Sequence, residues 1–214
     1  AICALKRFVA DWKREAAPLP SVEVHRDQAV AIIGAGPAGL TAAHDLALHG
    51  YRVVVFEALP AAGGMLAAGI PAYRLPRSVL EAEIARIQAM GVEIKLNTPI
   101  GREGSPSLED LRRDFDAVFI SVGAHQELQL RIEGEELSGV VPGVLFLRAC
   151  NLKAQEAAVE LDLTARKVAV VGGGNVAIDA ARSALRLGAE SVTIVYRRSR
   201  TEMPASSWEV EDAE

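Results

Sequence analysis

Cysteine is scarce in this 214-residue chain: Cys3 and Cys150 are its two thiols, far apart and outside any Cys-x-x-Cys pair. Neither a disulfide framework nor a redox-active dithiol is expected from such usage. Long apolar runs are missing as well. The longest uncharged stretch, Gln28 to His44 with His neutral, is short for a membrane span and contains three glycines and a proline. Lys6, Arg7 and Asp11 interrupt the apolar residues near the start, so no secretory signal is read there and the cytoplasm is the expected compartment. Positive charge has no surplus: 23 basic residues against 28 acidic ones leave a net charge of −5, which points to neither nucleic acid nor an anionic membrane as partner. The four histidines, His25, His44, His49 and His125, form no Ser–His–acid arrangement and no metal-ligand cluster. No metal site is expected, and no side chain is assigned as catalytic.

Half of the residues are apolar and about a quarter are charged, an ordinary globular composition with enough length for the cores of one or two domains. Two glycine-rich turns stand out, Gly34-Ala35-Gly36-Pro37-Ala38-Gly39 and Gly172-Gly173-Gly174-Asn175-Val176-Ala177. Each follows an apolar run (Ala29 to Ile33, Val168 to Val171), opens a helix-like stretch, and is followed by a β-branched run (Arg52 to Phe56, Ser191 to Val195). One such turn is weak evidence; two, each between strand and helix, predict two dinucleotide sites in one α/β polypeptide. The expected fold is a pair of Rossmann-like units, parallel sheets with flanking helices. They are expected to form an incomplete piece of a larger two-dinucleotide-domain flavoprotein.

Along the chain, Leu5, Phe8, Val9 and Trp12 at helical spacing predict a short amphipathic helix over 2–16, followed by a link containing Pro18 and Pro20. The first strand–turn–helix–strand runs from 29 to 56, with its helix at about 37–50. The stretch 60–76, rich in Gly, Ala and Pro, reads as loop. Leu80, Ile84, Ile87 and Met90 predict a further helix ended by Gly91, and strands are read at 92–96 and 117–122. Residues 125–150 read as a connector of mixed character. A second strand–turn–helix–strand begins at Arg166, with its helix at about 175–187, and Trp208 opens another helical stretch. The expected organisation is 1–28 as helix and linker, 29–150 as the first nucleotide-binding domain and 151–214 as the start of the second. Two strands are marginal as a sheet of their own. A piece of a longer protein is therefore the favoured reading, beside a compact two-lobed protein that ends here.

In the first turn, Gly34 permits the bend, Gly36 lets backbone approach a pyrophosphate and Gly39 lets helix and strand close on each other. The phosphates are expected at the helix N-terminus, at Pro37 and Ala38. Glu57, 23 positions after Gly34 with Ala58 beside it, is placed to accept hydrogen bonds from an adenosine ribose. The plainer alternative is a turn that needs glycine for packing alone. In the second turn, Gly172, Gly174 and Ala177 repeat the pattern, and the same count from Gly172 lands on Val195, followed by Tyr196-Arg197-Arg198. A missing carboxylate next to Arg197 and Arg198 suits a 2′-phosphate and so NADP over NAD. The alternative is that these arginines are a solvated basic loop.

These residues resemble the small (beta) subunit family of NADPH-dependent glutamate synthase, with the flavin module of dihydropyrimidine dehydrogenase as a relative. The likeness spans nearly the whole chain. It is most specific at Gly69-Ile70-Pro71-Ala72-Tyr73-Arg74-Leu75-Pro76 and Glu202-Met203-Pro204-Ala205, and includes Asp116 to Ala124 and Gly63-Gly64-Met65-Leu66. The resemblance implies FAD at the first turn and NADPH at the second. It places Gly64, Met65 and Leu66 beside the flavin, Arg74 against it, Ile100 near the adenine and Gly123 closing the site near the phosphates. Asn175 and Val176 would meet the NADPH pyrophosphate. Read without it, Arg74 is a loop arginine and Gly123 a strand terminator. The family's cysteine-rich domain, holding two [4Fe–4S] clusters ahead of the point where Ala1 stands, and its C-terminal return to the flavin domain are not in this sequence. Cys3 is therefore not assigned as a cluster ligand.

The implied activity is an FAD-dependent NADPH oxidoreductase module that passes electrons to iron–sulfur clusters or to a catalytic partner subunit, such as a glutamate synthase large subunit; an oligomer is left open. The alternatives are a subunit of an electron-bifurcating ferredoxin:NADP oxidoreductase, a disulfide-reducing flavoenzyme, a flavin monooxygenase, and a non-catalytic nucleotide-binding or assembly module.

Overall fold

A computed structural model describes residues 2–16, 22–125, 129–153, 159 and 161–213. Helix α1 (Ile2–Ala16) is followed by strand β1 (Ala29–Ile33), helix α2 (Pro37–Leu48) and strand β2 (Arg52–Phe56). Then come α3 (Met65–Ala68), α4 (Arg77–Ala89), β3 (Glu93–Lys95), α5 (Leu108–Asp114) and β4 (Ala117–Ile120). Helix α6 (Gly143–Leu152) leads to β5 (Lys167–Val171), α7 (Asn175–Arg186), β6 (Ser191–Val195) and α8 (Ser207–Glu211).

The first four strands make one parallel sheet in the order β3-β2-β1-β4. Its central strand is buried along its whole length, and that explains the unbroken apolar sequence Ala-Val-Ala-Ile-Ile. Side chains alternate across the pleat, so the sheet has two cores. Val30, Ile32, Val53 and Val55 pack with Leu40, Ala43 and Ala47 of α2 and with Met90 and Val92. Ala31, Ile33, Val54 and Phe56 pack on the opposite face with Leu111 of α5 and with Ile100. The α/β expectation of parallel sheet and flanking helices holds. The strand order reverses between β1 and β4, and in such sheets the crevice beyond the strands' carboxyl ends at that point is the binding site.

The second unit pairs β5 and β6 in parallel, with Val171 opposite Val195. Helix α7 is buried along most of its length, and Ile178 packs with Ala205 and Val210. Helix α6 bridges the units: Asn151 Nδ2 donates to Ala68 O (2.9 Å), and Gly143 lies against Val176.

Three details differ from the expectations. A single helical turn, α3, interrupts the stretch read as loop. Helix α5 was not anticipated, although its capping box is explicit: Ser107 Oγ accepts from Asp110 N–H (3.1 Å), and Asp110 Oδ2 accepts from Ser107 N–H (2.9 Å). Helix α6 starts within the expected connector and runs through the expected division at 150/151. Cys150 lies in that helix, where burial pushes its thiol up to about 11. Helix α1 forms as expected, but Leu5, Phe8, Val9 and Trp12 are exposed. Residues 17–21, including most of the Pro-containing link, lie outside the described residues.

Candidate nucleotide-binding site

The first glycine turn is built by close approach on three sides. Gly34, at φ +104°, donates its N–H to Phe56 O (2.8 Å), and Ser121 N–H donates to Ile33 O (2.8 Å). A Cβ at Gly34 would lie 2.4 Å from Ser121 O, and one at Gly39 would lie 2.0 Å from Gly34 O. These two glycines are demanded by the fold itself. Gly36 differs: a Cβ there would meet only the Gly64 α-carbon, at 3.9 Å, so its bare face is turned to open space. Gly64, at φ +54°, presses on Gly36 from the α3 side, and Gly63 N–H donates to Ala35 O (2.8 Å). Met65 and Leu66 follow on α3, held by Arg77, whose guanidinium donates to Leu66 O (3.0 Å) and Ile70 O (2.9 Å).

Helix α2 begins at Pro37 with no side-chain cap, and Leu40 N–H is the donor that bonds back to Gly36 O (2.9 Å). The first-turn N–H groups that have no carbonyl four residues back are left, with the positive end of the helix dipole, at the open face of Gly36. That arrangement fits an anion such as a pyrophosphate. Gly123, at φ +70°, is exposed just beyond β4 on the same side of the sheet. Ile100 is half-buried against the Phe56–Leu111 face.

Glu57 is buried at the end of β2, and both its oxygens are engaged by backbone. Oε2 accepts from Ala35 N–H (2.7 Å), inside the glycine turn, and Oε1 accepts from Leu59 N–H (2.8 Å). Ala58, between them, is exposed. Beyond the ribose role expected of it, Glu57 ties strand β2 to the turn. Glu57→Gln replaces one accepting oxygen with an amide N–H that faces a backbone donor. The ligand-free protein should lose about 2 kcal/mol, since hydrogen bonds to charged groups carry that order of energy. Urea unfolding without nucleotide measures it, and an unchanged midpoint would show that the two contacts carry no load.

The second turn repeats the plan with different chemistry behind it. Gly172, at φ +138°, donates its N–H to Val195 O (2.9 Å), and α7 starts after Gly174, again without a side-chain cap. Asn175 Oδ1 accepts from Ser206 N–H (3.1 Å), which fastens the turn to the start of α8, and Val176 is exposed. In the first unit the turn glycine bonds to Phe56 O, one residue before Glu57; in the second it bonds to Val195 O. The position equivalent to Glu57 is therefore Tyr196, not Val195. The cause is the helix-to-strand connector, residues 49–51 in one unit and 187–190 in the other, which is longer by one residue. The Tyr196 ring lies over Gly173, where a Cβ would come within 2.7 Å of it, and its hydroxyl donates to Glu202 O (3.1 Å). Arg197 and Arg198 follow, both exposed. Where Glu57 stands behind the first turn, the second has Tyr196.

Arg74 occupies a place the sequence did not disclose. Its Nη1 donates to Asp179 Oδ2 (2.6 Å) on α7, and its Nη2 forms an ion pair with Glu209 on α8. Tyr73 donates from its hydroxyl to Asp179 Oδ1 (3.2 Å), with burial and the Asp179 charge holding the phenol above its ordinary range. Asp179 and Glu209 were missed as site residues. The available signal was an acidic residue set among alanines on the buried face of α7. Among the described residues, no group of three or more His, Cys, Asp or Glu side chains could hold a metal ion, and no helix is long and apolar enough to cross a membrane.

The chain is 51% identical, over all of its length, to NADP(+)-dependent formate dehydrogenase subunit beta of Moorella thermoacetica, of which it spans 30%. It is 39% identical, over 97% of its length, to the glutamate synthase [NADPH] small chain of Escherichia coli, of which it spans 44%. FprA of Mycobacterium tuberculosis in complex with NADPH has a similar structure, with a TM-score of 0.72 and 26% identity over 87% of this chain and 47% of that one. The chain thus spans about a third to a half of the length of these relatives. Residues 28–213 match the pyridine nucleotide-disulphide oxidoreductase family, and the chain belongs to it.

Proposed function

We propose that this chain is the electron-input part of an NADPH-dependent flavoprotein, with FAD at the Gly34–Gly39 turn and NADPH at the Gly172–Ala177 turn. The observation that carries the reading is the contrast between two otherwise parallel turns. One is backed by the buried carboxylate of Glu57, the other by Tyr196 and two exposed arginines. A ribose diol is matched by the first, a 2′-phosphate by the second. The names of the relatives in Moorella thermoacetica and Escherichia coli, which carry NADP or NADPH, support the same assignment.

A flavin bound at the first turn supplies the ability to take a hydride from a reduced nicotinamide and release electrons singly. The chain's own residues hold and orient. Gly36 and the N-terminus of α2 receive one pyrophosphate, with Ala38 at the first turn of that helix. Gly64, Met65 and Leu66 wall the flavin side, and Gly123 closes the crevice beyond β4. Gly174, Asn175 and Val176 receive the second pyrophosphate, and Arg197 and Arg198 grip the 2′-phosphate. No side chain moves a proton in this scheme. Electrons from a bound flavin would pass on to iron–sulfur clusters or to a partner subunit, and the relatives named as a beta subunit and a small chain support a partner.

The test is anaerobic stopped-flow reduction of the purified full polypeptide. It should be yellow, and NADPH should bleach it at least tenfold more efficiently than NADH, the scale of one lost charge-assisted contact. Equal efficiency would refute the coenzyme assignment. Protein that stays colourless after FAD addition would favour a non-catalytic nucleotide-binding module.

A further inference from the structure

The 69–76 stretch of the first unit reaches the second through two neighbouring side chains. Arg74 lies between the carboxylates of Asp179 and Glu209, and Tyr73 donates to Asp179. Arg182 and Arg186, one and two turns further along α7, lie over the Tyr73 ring with guanidinium carbons 4.9 and 4.0 Å from its centroid. The two acids are almost fully enclosed, their side chains 7% and 2% exposed, while Arg74 is 25% exposed. Glu209 is the more exacting of the pair: neither of its oxygens has a hydrogen-bond partner of good geometry among the described residues, so its charge is answered through the ion pair with Arg74.

Burying a carboxylate is costly unless it is paired, and here two enclosed carboxylates face one guanidinium. The second unit's own Arg182 is paired with Asp212 and lies over Tyr73, and the guanidinium that pairs with Asp179 and Glu209 comes from the first unit. Asp179 also sits one turn into the helix whose N-terminus forms the second glycine turn. A guanidinium has the planar fork to bridge two carboxylates; an ammonium does not.

We propose that Arg74 is the dock between the units, and that Asp179 and Glu209 are positioning residues that fix the second nucleotide turn relative to the first. This rests on the reading of those turns as the FAD and NADPH sites. Hydride transfer requires the two rings at contact distance, and a displacement of about 1 Å can lower a rate up to a hundredfold. The dock sets that distance without touching the nicotinamide.

The test is a double-mutant cycle on the full polypeptide, read by thermal unfolding without NADPH. Arg74→Met should lower the midpoint. Glu209→Gln should raise it again in the Arg74→Met background while failing to raise it in the wild type. An equal shift in both backgrounds would overturn the dock. Should Arg74→Met not fold, Arg74→Gln, which also removes the charge, replaces it in the same cycle. The positioning role is read separately from Asp179→Asn in rapid-mixing experiments. The limiting rate of flavin reduction should fall about tenfold or more while NADPH affinity changes by less than about twofold. Unchanged rates in a destabilised variant would reduce Asp179 to a structural tie. If the wild type itself shows no flavin reduction by NADPH, the functional reading fails, and the sign reversal in unfolding still decides the dock.

Discussion

Gly39→Ala is expected to cost the protein about 3 kcal/mol, as much as overpacking in a tight core. Helix propensity argues the other way, since alanine is favoured over glycine within a helix by about 1 kcal/mol. The steric term decides. The new Cβ would stand 2.0 Å from Gly34 O and 2.7 Å from Ser121 Oγ. Neither neighbour can retreat easily. Gly34 is tied through its N–H to Phe56 O, and Ser121 through its N–H to Ile33 O. Relief requires α2 to lift from the end of β1, and that pulls Leu40 and Ala43 out of the core they share with Val30 and Ile32. The thermal midpoint should drop by about 6–12 °C, the shift that 3 kcal/mol produces in a chain of this size. Gly104→Ala is the control: it has φ +77° but nothing within 4 Å of the added carbon, so it should lose only the backbone term of about 1 kcal/mol. If Gly39→Ala proves neutral or stabilising, Gly39 is not the closure of the turn, and the first site loses its structural argument.

What a sequence discloses of its fold depends on how local the determining signal is. Strands β1, β2 and β6 were legible to the residue, because each is a β-branched or apolar run bounded by glycine, charge or turn. Both glycine turns were legible because each motif is six consecutive residues, even though Ser121, Gly64, Val195 and Tyr196, which close on them, lie far along the chain. Helix α5 was overlooked because its seven residues contain few apolar ones, although Ser107 and Asp110 announce its start. The count of 23 residues gave Glu57 correctly as the residue behind the first turn but failed at Val195. Pairing register follows hydrogen bonds across the sheet, and one added connector residue shifts every later position. Arg74 was legible as a distinctive residue but not in its partners. Asp179 is 105 residues away, and Glu209 is on a separate short helix, so no periodicity links them. Docking between units is a property of the assembled fold and leaves no local pattern.

The second large effect concerns charge at the Tyr196–Arg198 corner. Under the proposed assignment, Arg197→Ala together with Arg198→Ala should weaken NADPH binding on the order of a hundredfold and leave NADH nearly unchanged, since each guanidinium loses a charge-assisted contact to the 2′-phosphate. The arginines are exposed, so part of their attraction is screened, and the preference of the unaltered protein for NADPH should itself shrink as salt rises from 50 to 500 mM. Their placement depends on Tyr196, whose ring is seated on Gly173 and whose hydroxyl is held by Glu202 O. Glu202 in turn accepts from Ser199 N–H (3.1 Å) and Ser199 Oγ (2.7 Å), so the basic loop is closed on itself before any ligand arrives. The Ser199 hydroxyl and N–H also hold the Glu202 carboxyl below its usual range, so this acceptor stays charged further into acid. A loop already ordered loses little entropy on binding, and that favours affinity from the phosphate contacts themselves. Titration with adenosine 2′,5′-bisphosphate against AMP isolates this corner from the flavin and from hydride transfer. The bisphosphate should bind the unaltered protein far more tightly, and the double variant should treat the two alike. If both ligands weaken in parallel, the arginines contribute only a general positive field, and selection for the 2′-phosphate must come from elsewhere in the second unit.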